Sequence, residues 1–154
     1  MFVPVAMRIA VIAFLAVLFL VISFFLARWL TADNRERSFV TDLLSQQTAG
    51  NARGMLELMP PCAASTACRR ETAELARRFD GAGEVNIVRY DSSTARALGS
   101  EQGPTRVAWQ AGGPTSRIWV QCVEVNRSGV AFLGGKVELE RIGPPIGGEA
   151  SCPA

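Results

Sequence analysis

The sequence predicts an α+β protein: an N-terminal transmembrane helix followed by a small domain of three short helices packed on a curved antiparallel sheet. Three observations predict it. Residues Ile9 to Ala27, IAVIAFLAVLFLVISFFLA, run for 19 positions without a charge. At Asp80-Gly81-Ala82-Gly83 the apolar spacing changes from the helical period of 3.6 to the strand period of 2. The helical stretches come first and the strands after, which is the order of an α+β domain and not of βαβ units. A chain of 154 residues holds one domain with an appendage.

The appendage is the uncharged run. As a helix rising about 1.5 Å per residue it spans roughly 28 Å, close to the hydrocarbon thickness of a bilayer. A buried core helix would carry polar residues along one side, and here only Ser23 interrupts. A cleaved signal peptide has a shorter run and small residues at its cut site, whereas FFLARWLTADN closes this one without an A-x-A pattern. The expectation is an uncleaved membrane anchor over residues 1–30, with the bilayer as its partner and Arg28 and Trp29 at the water boundary. Basic residues taken alone favour a C-terminal part left inside, because Arg8 precedes the run and Arg28, Arg35 and Arg37 follow it. The cysteines argue for the opposite orientation.

Cys62, Cys68, Cys122 and Cys152 form an even set beyond the run. Zinc would want closely spaced pairs or histidine partners. Here the gaps are five, 53 and 29 residues and the chain has no histidine, so no metal or other cofactor is expected. A thioredoxin-type C-x-x-C is absent as well. Two disulfides in an oxidising compartment are the preferred reading, over four free buried thiols in a cytosolic domain. Of three possible connectivities, Cys62–Cys68 would pin a loop between two helices. Cys122–Cys152 would tack the Gly/Pro-rich tail, residues 143–154, back onto a strand. The expected location is therefore a cell membrane, crossed once, with the C-terminal domain outside the cytoplasm.

The domain proper, residues 31–142, opens with two short helices in RERSFVTDLLSQQTAGNARGMLELMPP. Val40, Leu43, Leu44 and Gln47 share one face, with Phe39 beside them. Gly50 suits a helix C-terminus and Asn51 an N-cap. Ala52, Met55, Leu56 and Met59 line the second helix before Pro60-Pro61 stops it. A third helix, capped by Ser65 or Thr66, runs to Phe79 with Thr72, Leu75, Ala76 and Phe79 inward. Its charged face offers Arg70–Glu74 and Glu74–Arg78 at i,i+4, pairs worth a few tenths of a kcal/mol.

Strands are expected at Glu84–Tyr90, Thr105–Ala111, Arg117–Arg127 and Lys136–Ile142. Val107, Trp109 and Ala111 alternate with Arg106, Ala108 and Gln110, the pattern of a sheet with one covered face and one wet one. QAGGPTS and NRSGV supply the turns between strands. DSSTARALGSEQG is either a fifth short strand or a loop.

Charge removes one partner class. Fourteen of the 16 basic residues and all 14 acidic ones lie beyond residue 30, so the domain is formally neutral. Nucleic-acid binding requires a basic excess to displace counterions, and none is present.

The opening FVTDLLSQQTAGNARGMLELM, the helix ending in ARRFDG and the strand TRVAWQAG together resemble the nuclear transport factor 2-like superfamily over residues 36–142. The resemblance implies a cone, helices packed into a bent sheet, with a pocket at the wide end. That cone behind one membrane helix is similar to inner-membrane assembly components of type IV secretion systems and to accessory proteins of actinobacterial lipid-import complexes. The last strand, GGKVELERI, departs from the pattern by lacking the family's closing tryptophan.

Enzymes of that fold move protons with an Asp base, a Tyr or second acid, and often a His–Asp dyad. This chain has no histidine, the commonest general base near neutrality. Its single tyrosine, Tyr90, neighbours Asp91 on a strand, where adjacent side chains point to opposite faces. Ser92-Ser93 lack a Gly-x-Ser-x-Gly elbow. No catalytic residue is expected. The leading expectation is a non-catalytic, membrane-anchored module that joins an envelope protein through its sheet face or tail, with Trp109 and Trp119 as contact candidates that core positions explain just as well. The alternative is a carrier or sensor of a small apolar ligand, in a cavity lined by Phe39, Leu43, Leu75, Val107 and Trp109. A hydrolase or isomerase comes third, since it needs a buried, convergent carboxylate pair.

Overall fold

The computed structural model describes residues 5–93, 100–129 and 135–153, with the backbone alone at 5, 6 and 28–33. Helix α1, Val5–Thr48, is a single helix of 44 residues, about 66 Å long at 1.5 Å per residue. Its segment Met7–Ala27 has a mean hydropathy of 3.2, lies unburied, and is long and apolar enough to cross a membrane.

This continuity corrects one expectation. The anchor and the first domain helix are not separate elements, because α1 runs unbroken through residue 30. Between Ile9 and Ala49 the chain contains neither glycine nor proline, the two residues that most strongly break a helix. The expected roles of Arg28 and Trp29 fall on side chains outside the described residues.

α1 ends at Gly50, whose φ of +67° is left-handed. The turn therefore favours glycine, and a Cβ there would also sit 2.5 Å from Asp80 Oδ1 and displace that side chain. The Asn51 side chain accepts a hydrogen bond from the Gly54 N–H and caps α2, Ala52–Leu58. Pro60 and Pro61 do not merely stop α2. They open a further short helix, α3, Pro60–Ala64, in which they occupy the first turn, where no intrahelical N–H is needed. Helix α4, Thr66–Phe79, is capped by Ser65 and buries Thr72, Leu75, Ala76 and Phe79.

Four strands follow in a meander: β1 Val85–Ser92, β2 Glu101–Ala111, β3 Ile118–Ser128 and β4 Lys136–Ile142. They pair antiparallel in the order β1-β2-β3-β4, an open sheet that is not closed on itself. Residues 101–103 extend β2, while the 94–99 part of the undecided DSSTARALGSEQG segment lies outside the described residues. The register shifts between Ile87 and Arg89 and between Glu124 and Val125; such irregularities bend a strand and sharpen its twist.

The core lies between the helices and one sheet face. Val40, Leu43 and Leu44 of α1, Met55 of α2, Leu75 and Phe79 of α4, and Val107, Trp109, Val123 and Val125 of the sheet form one buried cluster. Phe79 sits 5.2 Å from the rings of both Trp109 and Trp119. The opposite face departs from the expected wet one, since Ala108, Gln110, Val120 and Cys122 are also buried. The tail explains this. Gly143 N–H donates to Cys122 O and Ile146 N–H to Val120 O, both at 2.8 Å, after which the chain turns back over the sheet.

Candidate functional site

The most elaborated polar site was not foreseen from the sequence. Glu36 lies on α1 one turn before Val40, on the stripe that continues through Leu43 and Gln47. It is fully buried. A lone carboxylate cannot be taken from water without compensation, and three strands supply it. Tyr90 Oη on β1 donates to Glu36 Oε1 at 2.6 Å, and Thr105 Oγ1 on β2 donates to the same oxygen at 2.7 Å. Arg127 Nε on β3 donates to Oε2 at 2.7 Å, and Arg127 Nη2 also donates to it.

Burial alone would raise the Glu36 pKa. The hydrogen bonds from Tyr90, Thr105 and Arg127, with the charge of Arg127, outweigh burial and hold it below the ordinary value of 4.5. A carboxylate so engaged stays ionised at neutral pH and is poorly placed to accept a proton from substrate. What the arrangement does well is bind α1 to the first three strands at once.

The signal that could have found this cluster is the register. Glu36 falls on an apolar helical stripe, and Arg127 falls on the inward series Val123, Val125, Arg127. Two opposite charges on two core-facing series are expected to meet. Neither expected i,i+4 pair on α4 lies within ion-pair distance: Arg78 lies over the rings of Phe79 and Trp119, and Glu71, outside those pairs, meets Arg141 of β4 at 3.1 Å. At Arg78 a ring contact with the sheet takes the place of a local pair worth only tenths of a kcal/mol.

A second buried network lies farther along α1. Gln47 Nε2 donates to Gln121 Oε1 at 3.1 Å, and Trp109 Nε1 donates to the same oxygen at 2.8 Å. Gln121 Nε2 donates to Gly143 O at 3.0 Å. The amide of Gln121 thereby links helix, sheet and tail.

Of the residues expected to line an apolar cavity, Leu43, Leu75, Val107 and Trp109 belong to the packed core cluster, while Phe39 is 39% exposed. Trp109 is wholly buried and Trp119 partly so. Cys62 of α3 is bonded to Cys68 in the first turn of α4, with the Cys62 sulfur 3.4 Å from Thr72 Oγ1. Cys122 is bonded to Cys152, and Arg106 holds the same stretch of tail by donating to the carbonyls of Ala150 and Gly148. Among the described residues no group of three histidine, cysteine or acidic side chains is gathered for a metal ion, and Glu36 is the one buried carboxylate.

No family model, curated protein or solved structure matches the chain.

Proposed function

We propose that this chain is a non-catalytic interaction module, anchored in a membrane by the segment Ile9–Ala27, with its disulfide-bonded domain on the oxidising side. The observation that carries the reading is the union of anchor and domain. One helix continues from the apolar segment into the core, and Glu36 fastens it to β1, β2 and β3. With no loop or hinge between span and domain, the domain is held at a fixed height and rotation above the bilayer, a property suited to a component that must meet a neighbour in register. Two disulfides favour the oxidising side. The open, helix-covered sheet is compatible with the resemblance of residues 36–142 to the nuclear transport factor 2-like superfamily.

A non-catalytic role is favoured by the state of the buried polar groups. The carboxylate and the tyrosine that a proton-moving enzyme would use are bonded to each other and to Arg127 and Thr105. The test is crosslinking of the full chain in its native envelope, followed by purification through a C-terminal tag. A discrete set of protein partners is expected. Recovery of the chain with a bound lipid and no protein partner would replace this reading by that of an apolar-ligand carrier.

A further inference from the structure

A groove of about 640 Å³ lies between the tail at Pro145–Gly148 and the sheet at Val88, Ile118 and Trp119. Four arginines, Arg78, Arg89, Arg106 and Arg117, line it, and among the described residues no acidic one does. In a domain that is formally neutral this is a concentrated positive patch. Two of the four are already engaged: Arg89 and Arg106 share Asp91 at 2.8 and 3.6 Å, and Arg106 also holds the tail carbonyls. Arg78 and Arg117 have no carboxylate within 4 Å among the described residues. Their guanidinium carbons lie 5.6 and 4.4 Å from the centroid of the Trp119 ring. Stacking of this kind orients a guanidinium while leaving its N–H edges available to a second partner. Beside them Val88 and Ile118 are 51% and 52% exposed, the most exposed large apolar side chains among the described residues outside the Met7–Ala27 segment. Arginine and tryptophan are the residues enriched at interface hot spots, and the two exposed aliphatic side chains add apolar area beside them.

Resting on the interaction-module reading, we infer that this groove binds an acidic, extended segment of a partner protein, carboxylates meeting Arg78 and Arg117 and apolar side chains meeting Val88 and Ile118. Its height above the bilayer decides against anionic lipid of the host membrane. Along β3, Arg127 stands level with Glu36 and Gln121 level with Gln47, so Trp119 lies farther out still. Gln47 is 20 residues beyond Ala27 on the same helix, about 30 Å away at 1.5 Å per residue. That exceeds the Debye length of about 8 Å at physiological salt, and headgroup charge is screened over such a distance.

The test uses the full chain in nanodiscs of neutral phosphatidylcholine. The probe is a fluorescein-labelled peptide of alternating glutamate and leucine, with its lysine–leucine counterpart as control, read by anisotropy. The acidic peptide is expected to bind in preference to the basic one, and the Arg78→Glu/Arg117→Glu variant to bind it at least about tenfold more weakly. The Arg53→Glu/Arg77→Glu variant, altered at exposed positions off the groove, is expected to bind it as the parent does. Equal weakening by both variants, or equal binding of both peptides, overturns the inference. So does stronger binding to phosphatidylglycerol vesicles than to the peptide, or a self-associating chain whose dimer contact is this groove. A photo-crosslinker at Ile118 in the native envelope separates this inference from the broader reading. Capture of an acidic segment, identified by mass spectrometry, supports the groove. Partners captured from other surfaces but not from Ile118 remove the groove and leave the interaction module standing.

Discussion

Glu36 of α1 and Arg127 of β3 are 91 residues apart in sequence and form one buried ion pair, Arg127 Nε lying 2.7 Å from Glu36 Oε2. This contact converts a membrane-length helix into part of a globular domain. Removing one partner leaves the other charge buried and uncompensated. Glu36→Gln and Arg127→Met are each expected to cost about 3–5 kcal/mol. The Glu36→Leu/Arg127→Met double variant should lose less than the two single losses summed. Urea unfolding in detergent micelles, followed by tryptophan fluorescence, measures all three.

The pH dependence has a definite sign. The folded-state pKa of Glu36 lies below its ordinary value of 4.5. Its contribution to stability is therefore fully present above that value and is lost as pH falls through the depressed folded value. Tyr90→Phe removes one donor from the carboxylate, costs about 1 kcal/mol at neutral pH, and moves the onset of acid destabilisation to higher pH. In Glu36→Gln this component of the acid loss should vanish, giving a flatter stability profile below pH 4.5. Unfolding midpoints recorded across the acid range distinguish the two variants.

Gln121 is the second tie. Gln121→Leu leaves the Trp109 indole N–H and the Gln47 amide without their shared acceptor, and frees Gly143 O from its donor. The expected loss is at least about 2 kcal/mol, with a change in tryptophan emission because the indole loses its hydrogen bond inside the core. An unchanged midpoint and an unchanged spectrum would mean that water replaces the amide at no cost.

How much of this was legible depended on whether the information was periodic. The inward series of α4 and the strands Thr105–Ala111 and Lys136–Ile142 could be read because apolar spacing reports a face directly. The Gly50-Asn51 break was readable because each residue has a conformational reason to be there. The fusion of the apolar segment with the first domain helix was missed, because the loss of hydropathy after Ala27 suggests a boundary at residue 30, yet nothing in RWLTADNRER prevents helix propagation. The Glu36 cluster was missed because its members come from four elements. Its signal is a carboxylate and a guanidinium on two core-facing registers, visible only when both registers are set side by side. The buried outer face was missed because the tail has no period, and the placement of residues 143–153 follows from Cys152 and Arg106 and not from pattern.

The tail carries its own prediction. Cys122→Ser/Cys152→Ser opens a loop closed across 30 residues and should cost about 2–4 kcal/mol. Gly143 and Ile146, whose N–H groups donate to the carbonyls of Cys122 and Val120, should lose amide-exchange protection as the tail detaches. Protease should then cut near Gly147-Gly148 first. Retention of full protection in this variant would show that the Arg106 hydrogen bonds suffice to hold the tail.

The most direct test of the central claim is thiol accounting in intact envelopes, before any exposure to reductant, with a membrane-impermeant alkylating reagent and mass mapping of Cys62, Cys68, Cys122 and Cys152. The account predicts that all four resist alkylation and then become reactive to that reagent from the outer side once the envelopes are reduced. Four thiols that are free at the outset, and reachable only after the cytoplasmic side has been opened, would contradict it.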